Sequence, residues 1–506
     1  MFVDLRVGNL AEAVSGRRWD RGEIGRQVAT RVARFQSRGV ARGDRVFLPF
    51  GNRLEFFAEL CALWRLGACA VPIDPRLTPF EVQTLAGTAS PRLAVVDDAT
   101  DTRVIRTLIE SGIGVVDTTD TGSDELAGGL SQLDDDALIL FTSGSTGAPK
   151  GVVHTHRSLR ARWISLRDAL GTAPFARTLC LLPTHFGHGL ICNCLFPWLS
   201  GQDLFVTPPF RPDIIMRLGA MLDEHRITFM SSVPAVWKLA LKLSRPPLAG
   251  TLQRVHCGSA PLSATAWEDI RRWTGVRQVC NAYGITETGS WVAGLANAEG
   301  PAEDGLIGEG WGAVIKVLRV AGTSRPVSAD DECAPGESGY VWLNTPALMK
   351  GYFRRDDLTA AAVIEGWFST GDIGLIDERG RLVLRGRERD EINRGGMKVY
   401  PADVDAVAER FEHVRDVCTF ALDDPMYGQA VGMAVVLAQQ DDATLRALYA
   451  WMKDHLAEPK MPSRWWVLED IPRTSRGKLN RDAVRAACIE RPALDLVQLL
   501  AAEPKR

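Results

Sequence analysis

The sequence predicts an α/β protein. It should have a large N-terminal domain of mostly parallel sheets covered by helices, a β subdomain behind it, and a small α+β domain at the C-terminus. Three observations predict this. Short apolar runs alternate with helical patterns through about the first 300 residues, the rhythm of strand–helix–strand units. Beyond that point the runs shorten and turn signals crowd between them. The chain has 506 residues, whereas single hydrophobic cores stop growing at roughly 250–300.

The run RVFLPF (45–50) reads as a buried strand. Residues 54–66 follow with Leu54, Phe57, Leu60, Cys61 and Trp64 at helical spacing. CAVPI (69–73) and RLAVVDD (92–98) are strands again, as are TLCLLP (178–183), DLFVTP (203–208) and TFMSSV (228–233). Helical patterns at 190–199 and 214–224 lie among them. GYVWLN (339–344), a turn at 378–380 and RLVLRG (381–386) form the β subdomain. A separate unit begins near Arg387, with β runs at 417–422 and 432–437 and helical stretches at 402–411 and 442–456. The predicted division is therefore 1–386 and 387–506, the second part being of ordinary domain size. No internal repeat or low-complexity linker is apparent.

Composition removes several function classes. Hydrophobic residues make up 46% and charged residues 24%, as in ordinary globular proteins. Lys and Arg number 59 against 62 Asp and Glu, without the basic excess that nucleic-acid binding needs. The ten cysteines include no CxxC pair; Cys192 and Cys194, inside an apolar run, read as small buried hydrophobes rather than metal ligands. That usage fits a reducing cytoplasm. Asp4 and Arg6 occupy the place where a signal peptide has its apolar core. Glu59 and Arg65 interrupt the most apolar stretch, 56–73, so no membrane span is expected. The final AEPKR carries no prenylation or peroxisomal signal.

The strongest local feature is LILFTSGSTGAPKG (138–151). Apolar residues up to Phe141 lead into Thr142, Ser143, Gly144, Ser145, Thr146 and Gly147, and Lys150 follows shortly after. Small residues let a backbone fold around an anion, with N–H groups and hydroxyls directed at phosphate oxygens and a lysine adding charge. It is not a Walker A loop, because Lys150 is followed by Gly151 rather than Ser or Thr. Alone it supports a nucleotide-binding role and nothing narrower.

Four further segments follow in order: NAYGITETG (281–289), GWFSTGDIG (366–374), RGRERDEINRGGMKVYPADV (385–404) and IPRTSRGKLNR (471–481). With the loop at 138–151, they resemble the motifs of the adenylate-forming superfamily, which includes acyl-CoA synthetases, adenylation domains and beetle luciferases. Weaker similarity reaches back to about residue 40. The resemblance implies a two-step reaction. ATP and a carboxylic acid give an acyl-adenylate and pyrophosphate, and the acyl group then passes to a thiol. That thiol belongs to CoA or to the phosphopantetheine of a carrier protein, with CoA the leading reading.

The same resemblance implies roles for particular residues. Glu287 would offer a hard oxygen to Mg²⁺ and Thr286 a hydroxyl to phosphate. Gly258, Ser259 and Ala260, with Asn281, Ala282, Tyr283 and Gly284, would lie against the nucleotide. Asp372 would accept the ribose hydroxyls, as acidic residues do in other nucleotide sites, and Arg387 would hold ribose or phosphate. Lys478 would be the catalytic lysine of adenylation. Arg389 matches the hinge of a mobile C-terminal domain, where Asp or Lys is common in the family. Gly395 and Gly396 would belong to the thiol-transfer face.

The acid pocket would draw on Phe186, His188, Ser231, Gly258 and Gly289. No Asp stands near Gly187 to pair an α-amine, which argues against an ordinary α-amino acid. His188, Ser231, Ser232 and Trp291 imply a pocket of limited size with some polarity, suited to a small or aromatic acid. His188 could equally pack or cap structure. The alternatives are a stand-alone adenylation enzyme loading a separate carrier protein, activation of an unusual acid such as nitrite with a non-thiol acceptor, and a luciferase-like oxygenase. A nucleotide-binding regulator without catalysis is disfavoured by the presence of Lys150, Glu287 and Lys478.

Overall fold

The computed structural model describes residues 6–120, 131–142, 149–209, 211–320, 328–394, 397–425, 428–474 and 478–494. Ser143, Gly144, Ser145, Thr146 and Gly147 of the phosphate loop, and Gly395 and Gly396 of the expected thiol-transfer face, lie outside these residues.

The apolar runs become strands because they bury both faces. Arg45–Leu48, Cys69–Pro72 and Leu93–Val96 are buried at all but one position, the pattern of parallel strands covered by helices on either side. They sit in a seven-stranded sheet. Its order is Gly351–Tyr352, Lys150–Thr155, Asp136–Thr142, Cys69–Pro72, Arg45–Leu48, Leu93–Val96 and Gly114–Asp117. The last five run parallel, and Lys150–Thr155 runs antiparallel to Asp136–Thr142, so Thr142 faces Lys150 across the ladder.

A second sheet of 14 strands has a parallel centre: Asp203–Val206, Arg177–Cys180, Phe229–Ser232, Arg254–Gly258 and Val279–Ile285. From Ser290–Gly294 onward its pairings are antiparallel, forming the β-rich part that ends with Trp367–Ile376 and Leu382–Arg387. A five-stranded sheet starts at Ile392–Arg394 and packs the helices Pro401–Glu409, Asp442–His455 and Arg481–Ile489. We call these the large and small lobes. No helix among the described residues is long and apolar enough to cross a membrane.

Two helical expectations need correction. The stretch 190–199 is not one α-helix. His188–Leu195 winds as a π-helix and only Phe196–Leu199 is α-helical. The Phe196 N–H donates to Ile191 O, five residues back, and Pro197 has no N–H with which to continue the tighter ladder. The stretch 214–224 is split at Arg217 into Pro212–Met216 and Leu218–Glu224. The break brings Gly219 against the Arg245 carbonyl, where an added Cβ would lie 2.0 Å from the oxygen.

Glu59, which interrupts the apolar stretch of the helix Leu54–Arg65, is wholly buried. It is held by two arginines of the helix Arg21–Ser37, with Arg31 Nε at 2.9 Å and Arg34 closer still. Removing one member of such a group leaves buried charge unpaired, at a cost of about 3–5 kcal/mol. Glu59→Gln is therefore expected to lose about that much stability in urea unfolding, and a loss below 1 kcal/mol would contradict the pairing.

Four histidines are also buried without charge. Burial pushes His154 and His156 down to about 4, and His188 to about 3 with help from the Lys478 charge. His256 falls well below its usual range, first by burial and then by the charge of Arg254. The unfolded chain protonates these rings near pH 6.5 while the folded chain does not, so the unfolded state binds more protons below that pH. Stability should drop as pH falls from about 6.5 toward 4, each ring adding up to roughly 1.4 kcal/mol per unit. Urea midpoints at pH 5 and pH 7 check this, and equal midpoints would refute it.

Candidate active site

The strand Val279–Ile285 carries the residues expected at the nucleotide end of the site. Its first half pairs parallel with Arg254–Gly258, placing Gly258 opposite Ala282. Its second half pairs antiparallel with Ser290–Gly294. Both glycines are demanded by backbone approach. A Cβ on Gly258 would lie 2.3 Å from Ala282 O, and one on Gly284 would lie 2.1 Å from Ser290 O. Ser259 follows with φ +67°, a left-handed conformation that costs a non-glycine residue energy and recurs at functional sites. Asn281 is directed elsewhere: its Nδ2 donates to Leu306 O at 3.0 Å, so it holds the neighbouring strand.

Tyr283 donates its hydroxyl to Asp372 Oδ2. Asp372 faces Arg387 directly across the antiparallel ladder, with Arg387 Nε 2.8 Å from Oδ1. Burial and then the Asp372 charge push the Tyr283 hydroxyl well up, so it remains a donor. The Asp372 charge likewise raises Arg387. An ionised carboxylate has about four acceptor positions. Tyr283 and Arg387 use two, which leaves room for vicinal hydroxyls.

The phosphate end begins where Lys150 returns opposite Thr142, whose Oγ1 lies 3.5 Å from Lys150 O. The Lys150 ammonium sits 5.5 Å from the centre of the Tyr352 ring. Tyr352, paired with Val152 on the sheet edge, donates to Glu287 Oε1 at 2.8 Å. Burial and the Glu287 charge raise the Tyr352 hydroxyl, which keeps its proton on the tyrosine. Lys150, Tyr352 and Glu287 thus form one line of polar contact between the two sheets.

Glu287 lies in the short turn Thr286–Thr288, which is fixed from beneath. His154 Nε2 is 2.7 Å from Thr286 O; since the carbonyl only accepts, that nitrogen carries the proton of the neutral ring. Arg162 is fully buried and donates to Thr288 O at 3.1 Å, Trp311 O at 2.8 Å and Thr345 Oγ1 at 3.3 Å. Gly289 has φ +71° and rests on the Arg162 side chain, behind the turn. Its carbonyl faces Cys192 Sγ at 3.6 Å. His154, Arg162 and Tyr352 were not singled out from sequence. Each acts on a partner 65 to 149 residues away, and no local pattern marks them.

Of the residues expected at the acid end, His188 lies on the buried π-helix. Its Nδ1 lies 2.9 Å from Ser259 Oγ and its Nε2 2.6 Å from Ser231 Oγ. Both ring nitrogens of His188 are thus engaged by serines, which fixes the orientation of the ring. Ser232 is the next residue on the strand, and its side chain leaves by the opposite face, so it does not join Ser231 there. Trp291 packs against His188 with ring centres 5.3 Å apart, and Phe229 and His256 pack behind Trp291. Lys478, from the small lobe, places its Nζ 5.5 Å from the centre of the Phe186 ring. Phe186 is itself 6.0 Å from His188. Arg389 stands apart on the exposed turn Glu388–Asp390 between the two lobes, next to Asp390 at 3.4 Å.

Comparison with known proteins gives this geometry its context. A model of AMP-binding enzymes matches residues 10–353, and one of the AMP-binding enzyme C-terminal domain matches 403–478. Similar curated proteins include the oxalate–CoA ligase of Arabidopsis thaliana, 28% identical over 481 residues and covering 90% of each chain. A feruloyl-CoA synthase from an Amycolatopsis species is 28% identical over 470 residues, covering 92% of each. Among solved structures, ATP-bound MatB from Rhodopseudomonas palustris superposes with a TM-score of 0.84 at 25% identity, covering 95% of both chains. The scaffold is therefore shared with these proteins along nearly the whole chain. With matched models spanning most of its length, this protein belongs to the AMP-binding enzymes and is an AMP-forming acid–thiol ligase.

Proposed function

We propose that the enzyme activates a small or aromatic carboxylic acid without a second charge, and transfers the acyl group to CoA. The observation that carries this reading is the Lys478 ammonium beside Phe186, whose ring neighbours a His188 kept neutral by burial. In the first step an acid carboxylate oxygen attacks the α-phosphorus of ATP, and the bond to pyrophosphate breaks. Lys478 neutralises charge between the two anions as the bond forms. Lys150 and the Thr286 hydroxyl serve the phosphates, Asp372 the ribose, and Arg387 the ribose or phosphate.

Mg²⁺ accompanies the triphosphate in this proposal. Among the described residues no group of three or more His, Cys, Asp or Glu is gathered to hold a metal. One carboxylate, Glu287, beside a run of phosphate oxygens suits an ion that enters with its nucleotide. Bound there, the ion neutralises phosphate charge.

The substrate class follows from the pocket's chemistry. His188, Ser231, Ser259 and Trp291 provide polarity without a fixed charge, and Phe229 and His256 pack behind Trp291. None of these four described residues offers a cation to a second carboxylate on the acid. Oxalate is the acid of one similar ligase and ferulate, with a single carboxylate, that of another; these neutral groups favour the second type. The names of these ligases support CoA as acceptor. A carrier protein is the alternative. For the second step we propose that the small lobe, divided from the large one near Arg387, turns about Arg389 and brings Gly395 and Gly396 to the thiol. A cytoplasmic location belongs to the same proposal, supported by ten cysteines that are all free.

Two measurements test it. Lys478→Ala should lower ATP–pyrophosphate exchange by on the order of 10²–10³ while leaving thiol transfer from supplied acyl-AMP largely intact. Equal losses in both half-reactions of a folded variant would count against the two-step reading. In an acid panel, benzoate-like and short monocarboxylic acids should support exchange at least about tenfold faster than dicarboxylic acids of similar length, since burying a polar group without a partner costs about 1–3 kcal/mol. The reverse preference would overturn the neutral-pocket assignment.

A further inference from the structure

One cluster of charges joins the lobes without touching the pocket. Lys238, on the helix Pro234–Leu243 of the large lobe, donates to Glu409 Oε1 and to Asp416 Oδ1, each at 3.0 Å. Both carboxylates belong to the small lobe. The same Asp416 accepts from Arg473 Nη2 at 2.8 Å and 2.6 Å. Arg473 forms an isolated antiparallel bridge with Leu479. Its neighbour Thr474 donates its N–H to Lys478 O at 2.8 Å, and the Lys478 N–H donates to Thr474 Oγ1 at 3.1 Å. The contacts run without a gap from a large-lobe helix, through Asp416, to the backbone of Lys478.

The energetics favour a chain of this kind over a decorative surface pair. Burial opposes the charge on Lys238, yet Glu409 and Asp416 outweigh it and raise its proton affinity. Burial opposes the Asp416 charge too, and Lys238 and Arg473 together hold its carboxyl below the usual range. Partly buried pairs are screened less than exposed ones. Without Asp416, Lys238 and Arg473 would face one another as like charges. A second interlobe contact, Arg410 to Asp304, lies on the same side, and Asp304 is anchored by the Ala264 N–H at 2.7 Å.

We infer that Lys238 and Asp416 are positioning residues for adenylation: their ion pair clamps the small lobe and, through Arg473, sets the hairpin arm that presents Lys478 beside Phe186. This rests on the two-step reading above. For thiol transfer the clamp must open, so its strength sets how the enzyme divides its time between the two half-reactions.

The test pairs a distance measurement with kinetics. Nitroxide labels are placed at Met216→Cys and Ile489→Cys, exposed positions on the two lobes, in a Cys333→Ser background. The clamped protein should give one narrow interlobe distance, and Lys238→Glu or the milder Lys238→Gln should broaden or shift it. Lys238→Arg should keep it. In parallel, ATP–pyrophosphate exchange should fall on the order of tenfold in Lys238→Glu, the scale of a small misplacement of a catalytic group. Transfer from supplied acyl-AMP should equal or exceed that of the unmodified protein, and Lys238→Arg should recover most of the exchange. An unchanged distance distribution in folded Lys238→Glu and Lys238→Gln would overturn the inference, as would equal falls in both half-reactions. If the unmodified protein exchanged with no acid, the proposed function would fail, and the distance arm would still decide the clamp.

Discussion

The ion pair between Asp372 and Arg387 is the constraint on which the rest of the site depends. The two residues are opposite partners in an antiparallel ladder, so their side chains meet across it. A buried carboxylate needs partners, and Tyr283 supplies the third member from the neighbouring part of the sheet. Arg387 is also the last residue of the large lobe's sheet, followed at once by the turn Glu388–Asp390. One interaction therefore fixes both the place proposed for a ribose and the point at which the chain departs for the small lobe. Four residues beyond Tyr283, in the turn that follows its strand, the chain has reached Glu287, so the two proposed ends of a nucleotide site are set by one piece of backbone.

That backbone is rigid because its turn is supported by groups that do no chemistry. Arg162 gives its donors to two carbonyls and a hydroxyl at the back of the turn carrying Glu287. Burial lowers its proton affinity to about 10, still well above neutral pH, so it remains a charged donor. His154 meets the Thr286 carbonyl from the neighbouring sheet. A site that must be held to within about half an ångström draws its accuracy from such contacts.

These supports explain which parts of the molecule were legible in the sequence. Arg45–Leu48, Cys69–Pro72 and Phe229–Ser232 appear where apolar runs are bounded by turn residues, because burial on both faces leaves little choice of residue. Tyr283, Asp372, Arg387 and Lys478 are named from ordered motifs, and the structure brings the first three into contact. Tyr352 looked like any aromatic near an edge strand, and its contact with Glu287 spans 65 residues. Arg162 lies in the polar-looking helix His156–Leu170, where a charged residue reads as solvent-facing. The π-helical turn at His188 was read as ordinary helix, since the hydrophobic pattern is blind to one added residue per turn. Asn281 shows the converse: it sits inside a motif, yet its amide is used to hold a strand.

The placement of Lys478 explains why two lobes serve this chemistry better than one. Joining a carboxylate to a phosphate requires a cation between them as charge develops, and in a dry site such a cation is worth far more than in water. The same cation left in place would occupy the face from which a thiol must reach the acyl carbon. A lysine built into the large lobe could not serve both steps. Carried on the small lobe and held by a few interlobe ion pairs, it would, in the proposed mechanism, be present for the first and absent for the second. His188, Ser231 and Ser259 belong to the large lobe, so the proposed recognition of the acid would persist while the lysine departs. On this reading selectivity belongs to the fixed lobe and timing to the moving one.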